Sequence, residues 1–145
     1  TYLEDALAAS NLASAVIDVE EYGISHTILV KDPDEAYGIY LSALRGNLNL
    51  NEDWESSAGG LIGGRVRVLN YIIYNVIEDR VEIYHYDEEG RMSFSLGETG
   101  AVLSPGGKRI ENTSIYSEVA YPVGGILGVE AVAHKSNLAD IVANE

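Results

Sequence analysis

Val81-Glu82-Ile83-Tyr84-His85-Tyr86-Asp87-Glu88-Glu89-Gly90-Arg91-Met92-Ser93-Phe94-Ser95-Leu96 decides the fold class of this chain. On both sides of Asp87-Glu88-Glu89-Gly90, a four-residue turn signal, side chains alternate with the period of two that belongs to strands. Placing Tyr86 opposite Arg91 sets His85 against Met92, Ile83 against Phe94 and Val81 against Leu96, which share one face. Glu82, Tyr84, Tyr86, Arg91, Ser93 and Ser95 then share the other. A slip of one residue would mix the faces, so the apolar pattern is expected to fix the register.

Strand signals continue on both sides of this hairpin. Arg65-Val66-Arg67-Val68 alternates, and Asn70 to Ile77 is rich in Tyr and Ile and apolar on both faces. That run predicts a buried or interface strand. Ile115 to Tyr121 and Ile126 to Ala133 predict two more, joined across Pro122-Val123-Gly124-Gly125. Residues 134–145 read as a polar tail with one helical turn around Leu138 to Val142.

Helical signals sit before the strands. Leu3, Leu7, Leu12, Val16 and Val19 lie near helical spacing among many alanines, with Glu4 and Asp5 in the first turn and Gly23 as a stop. A helix is therefore expected over residues 3–21. Its stripe is narrow, so it needs a partner surface in its own domain or on another subunit. Asp32-Pro33-Asp34-Glu35 allows two readings. It is the turn of a hairpin returning over Ala36 to Leu44, or a cap with Pro33 at the first helical position and Gly46 as terminator. The helix is preferred, because Tyr37, Tyr40, Leu41 and Leu44 share one helical face.

These signals predict an α+β, mainly β fold: an N-terminal helix followed by an antiparallel β-sandwich or barrel. One domain is expected over 1–145: the helix at 1–23, an acidic mixed segment at 24–60, a β-rich core at 61–133 and the tail at 134–145.

The chain carries 23 acidic and nine basic residues, a net charge of −14, and no cysteine. Absent cysteine excludes a disulfide framework, a Cys-ligated metal and thiol catalysis. The charge argues against direct binding to nucleic acid or to anionic membranes. It is uneven: residues 1–60 hold 11 acids and two bases. High acid and only three lysines would also suit a high-salt cytoplasm. No apolar run reaches 18 residues and no basic leader precedes the first helix, so the chain reads as made in the cytoplasm.

Chemistry-bearing patterns are sparse. His26, His85 and His134 show no metal-ligand spacing, and His85 reads as a core histidine. The G-x-S-x-G elbow is absent. Gly59-Gly60-Leu61-Ile62-Gly63-Gly64 lacks the Lys-Ser/Thr of a phosphate loop, and Asp87-Glu88-Glu89 lacks the remaining ligands of a calcium loop. No catalytic, cofactor or metal residues are assigned, and the chain is expected not to be an enzyme.

Ten tyrosines carry the remaining information. Tyr and Arg are enriched at protein interfaces. The interface candidates are Tyr71, Tyr74, Tyr84, Tyr86 and Arg91 in the β half, and Leu7, Leu12 and Val16 on the helix. The expected function is a structural or assembly subunit acting by self-association, with itself and other assembly proteins as partners. A virion component such as a tail-tube, head-completion or decoration protein is one such setting, by analogy of size and composition. The alternatives are an acidic module that mimics nucleic acid or neutralises a basic protein, and a small ligand-binding barrel or enzyme using His85.

Overall fold

The computed structural model describes residues 1–56, 64–123 and 131–142. Most of the glycine-rich run at 59–64 and part of the strand expected at Ile126 to Ala133 lie outside them. Helices α1 (Tyr2–Ser14), α2 (Val19–Ser25) and α3 (Pro33–Asn47) precede five strands. These are β1 (Arg67–Ile77), β2 (Arg80–Tyr86), β3 (Met92–Glu98), β4 (Ser114–Val123) and β5 (Ala131–Asp140). The fold is α+β, mainly β, with an antiparallel sheet ordered β3-β2-β1-β4-β5. Among the described residues this sheet is open, with β3 and β5 at its edges.

The segment that allowed two readings is a helix. Asp32 caps α3 by accepting a hydrogen bond from Glu35 N at 3.2 Å, and Pro33 occupies the first turn. Proline suits that place because an N–H there would lack an intrahelical partner. The helix expected over 3–21 is instead two. Ile17 bridges Val30 in extended conformation, and Asp18 caps α2 by accepting from Glu21 N at 3.1 Å. Val16 and Ile17 are β-branched and lose side-chain freedom in a helix, while Asp18 favours a new helix start.

The hairpin register also differs from the expected one. Tyr86 pairs with Met92, Tyr84 with Phe94 and Glu82 with Leu96. The loop is one residue shorter than expected, and Asp87 builds it. Asp87 N donates to Arg91 O at 3.0 Å, and Asp87 Oδ1 accepts from Glu89 N and Arg91 N, both at 2.9 Å. Gly90 closes the turn at φ 78°, a conformation that suits glycine. This three-residue loop shifts the ladder by one. The apolar alternation could not resist, because β2 is buried on both sides: Val81 on one face and Tyr86 on the other. Tyr86 must face α3, and Met92, Phe94 and Leu96 follow it.

The polar tail is corrected too. Residues 131–140 form edge strand β5, paired with β4 from Val123↔Ala131 to Ser114↔Asp140. Backbone pairing needs no apolar alternation, so a polar edge strand leaves little trace in hydropathy.

Both faces of the sheet centre are covered. On one face α1 and α3 pack Leu3, Ala6, Leu7, Tyr40 and Leu44 against Tyr71, Ile73, Ile115 and Val119. On the other, the segment between β3 and β4 lays Ile110 and Val102 over Ile72, Tyr74, Val81 and Tyr116. Each fully buried Leu- or Ile-sized side chain contributes roughly 1.5–3 kcal/mol. This explains why Tyr71 to Asn75 are all buried in β1.

Candidate functional site

The interior consumes most of the tyrosines. Tyr37 of α3 stacks on Tyr86 at 4.4 Å between ring centroids, and Tyr71 lies against Tyr40 at 4.7 Å. The phenols are tied in place: Tyr71 shares a 2.8 Å hydrogen bond with Ser14 Oγ, and Tyr86 donates to Asp34 Oδ1. Burial raises the pKa of Tyr40, Tyr71 and Tyr86, and pushes Tyr74 up to about 12 with Tyr116 adding to it. Tyr71, Tyr74, Tyr86 and Leu7 are therefore core residues of this chain, not available to another one. Val16 is half-buried beside the break between α1 and α2. Leu12 is 55% exposed on the outer side of α1, and Arg91 is exposed at the start of β3.

What the slipped register leaves outside is a row on β3. Met92 is 46% exposed, Phe94 49% and Leu96 62%. They point to the helix side of the sheet, where none of the described helices buries them. Tyr84, half-buried, supports the row with its ring 5.1 Å from that of Phe94. Burial raises the Tyr84 pKa, and Glu82 at 3.4 Å adds to it. Ser93 and Ser95 face the opposite side. Sequence periodicity had placed Met92, Phe94 and Leu96 inside and so missed them. The signal that could have found them is Asp87 with Gly90 three residues on, which specifies a bulged three-residue loop.

Two polar arrangements compete for attention. On the loop side of the sheet a chain of polar contacts crosses four strands. His85 Nε2 lies 2.6 Å from Asn70 Oδ1, Asn70 Nδ2 donates to Glu118 Oε1 at 2.9 Å, and His134 Nδ1 stands 3.5 Å from Glu118 Oε2. The Asn70 oxygen can only accept, so this contact is a hydrogen bond in the His85 tautomer that carries its proton on Nε2. The amide separates His85 from Glu118, so this carboxylate cannot serve His85 as a direct acid–base partner. A cleft of about 300 Å³ lies at the opposite side, lined by Tyr37, Leu41, Trp54, Arg65, Arg67 and Glu88. Arg67 is held by Glu88 at 2.6 Å. Among the described residues no three His, Asp or Glu side chains converge on a metal-sized site.

The acidic block has a local explanation. Glu4 and Asp5 stand in the first turn of α1, Asp18, Glu20 and Glu21 at the start of α2, and Asp32, Asp34 and Glu35 at the start of α3. Carboxylates there complement the positive end of each helix dipole.

No protein family, curated protein or solved structure matches the chain. The row on β3 therefore rests on its own geometry. No helix of the described residues is long and apolar enough to cross a membrane.

Proposed function

We propose that this chain is a non-enzymatic structural subunit that acts by self-association. The observation that supports it is the exposed row Met92, Phe94 and Leu96 on an edge strand. Single exposed apolar side chains are ordinary, but a contiguous row on an open strand edge is a surface that soluble proteins usually blunt. Its partners are further copies of itself and other assembly proteins. A virion tail-tube, head-completion or decoration protein is one setting for such a subunit, and size and composition are what support that placement.

The acidic-module alternative drew on the charge of residues 1–60. Helix starts account for most of those carboxylates, which weakens it. Size-exclusion chromatography with light scattering at micromolar concentration tests the reading. A mass above 15.7 kDa that grows with concentration is expected; a monomer throughout overturns it.

A further inference from the structure

Resting on the self-association reading, we propose that β3 is a homotypic interface. Two copies pair their β3 strands antiparallel about a two-fold axis at Phe94, merging two sheets into one.

Four observations lead there. The first is the direction of the backbone groups. Asp87 N bonds Arg91 O at one end of the β2–β3 ladder, and Thr99 N bonds Asp79 O at the other. Antiparallel ladders alternate, so residues 91, 93, 95, 97 and 99 turn their N–H and C=O toward β2. Met92, Phe94 and Leu96 turn theirs outward, where another strand can take them. These same residues carry the exposed apolar side chains.

The second is the sequence pattern. Met92-Ser93-Phe94-Ser95-Leu96 reads apolar, Ser, apolar, Ser, apolar in either direction. A two-fold interface requires such self-complementarity. Centred on Phe94, the pairing sets Phe94 against its own copy and Met92 against Leu96 of the second copy. The outward backbone groups of both strands then meet in register. Tyr84, Phe94 and their copies form one aromatic row across the seam. Moving the centre to Ser95 would set Met92 against Glu98, an apolar group against a carboxylate.

The third is charge. No ionisable side chain lies between Met92 and Gly97 in a chain of net charge −14. Like-charged copies approach most easily where neither carries charge. A basic partner would instead seek the acids at the helix starts.

The fourth is contrast with the other edge. β5 carries Lys135 and ends at Asp140, and charged side chains are the usual guard against strand addition. β3 has no charge before Glu98 and no proline.

The absence of cysteine makes single introduced thiols unambiguous. Directly opposed residues in an antiparallel pair have Cα atoms close enough for a disulfide. Under mild oxidation of the full chain, F94C is expected to link to itself. M92C mixed with a differently tagged L96C is expected to give the mixed dimer at several times the yield of either alone. S93C and S95C, each displaced from its own copy, should self-link several-fold less than F94C. L96K, at an exposed position, is expected to keep the circular dichroism of the parent and weaken association at least tenfold. An oligomer that L96K leaves unchanged and that F94C does not link would overturn this interface while sparing self-association. A parent chain that is monomeric overturns both. Self-linking of M92C as efficient as that of F94C overturns the two-fold at Phe94.

Discussion

The fold depends on the side chain of Asn75. It is a polar residue in the middle of a central strand, and it is buried. Its side chain replaces a missing strand: Oδ1 accepts from Val30 N at 2.9 Å, and Nδ2 donates to Val30 O at 3.1 Å. Val30 needs this, because its neighbours serve the bridge to α1's end. Lys31 N bonds Val16 O at 3.0 Å and Asp18 N bonds Leu29 O at 2.9 Å, leaving the Val30 groups turned toward β1. N75A leaves two buried backbone groups without partners. Each such group costs about 1–3 kcal/mol, so the pair costs about 2–6 kcal/mol. With a urea slope of about 1–3 kcal/mol/M, the midpoint falls by about 1 M or more. Far-UV circular dichroism during urea unfolding measures it, at a protein concentration where the midpoint no longer depends on concentration. Hydrogen exchange at residues 28–31 should accelerate as well. N75D keeps the acceptor but sets a carboxylate against Val30 O, so it should be destabilised at neutral pH and partly recover in acid. A midpoint for N75A within about 0.3 M of the parent, a change near the reach of a surface substitution, would refute the reasoning.

Leu7→Ala empties a fully buried site and should cost about 2–5 kcal/mol in the same assay, whereas Leu12→Ala on the outer side of α1 should stay within about 0.5 kcal/mol. Gly97→Ala drives a Cβ into the Cγ2 atom of Val102, which covers β3 on the loop side; it should cost about 1–3 kcal/mol and be largely rescued by adding Val102→Ala. Buried phenols hold Tyr40, Tyr71, Tyr74 and Tyr86 above the ordinary pKa of about 10. The folded state thus favours the neutral form, a contribution fully present below about pH 10 and lost as pH rises through the folded values. Cooperative unfolding above about pH 10, with phenolate absorbance rising in the same step, is expected; free titration of all the tyrosines at their ordinary pKa in folded protein would contradict it.

Local chemistry was legible in the sequence. Asp32 before Pro33 favoured the start of α3 over a hairpin turn, because a cap acts within one turn. The apolar run at 70–77 announced a strand covered on both faces, and β1 is that strand. Signals failed where a residue's fate depends on distant chain. The stripe from Leu3 to Val19 did not reveal that Val30 would pull Ile17 out of a helix. The polar run at 134–140 carried no sign of the β4 edge that pairs it. Tyr71 and Tyr86 looked like interface residues until Ser14 and Asp34 supplied partners for their hydroxyls, and Tyr74 until the cluster with Val81, Ile110 and Tyr116 buried it inside the chain.

By itself, then, the sequence determined where helices give way to strands, the place of the β2–β3 turn at Asp87 to Gly90, and a charge of −14. Only the tertiary structure decided which face of each strand is covered. Val81 and Tyr86 both demand burial on opposite sides of β2, and the local turn then sets β3 one residue away from the register its own alternation favours. Hydrophobic alternation can choose a face only where a second layer waits to cover it. On the helix side of the β3 edge none of the described residues supplies one, so hydrogen bonds in the turn prevail and Met92, Phe94 and Leu96 are left facing outward.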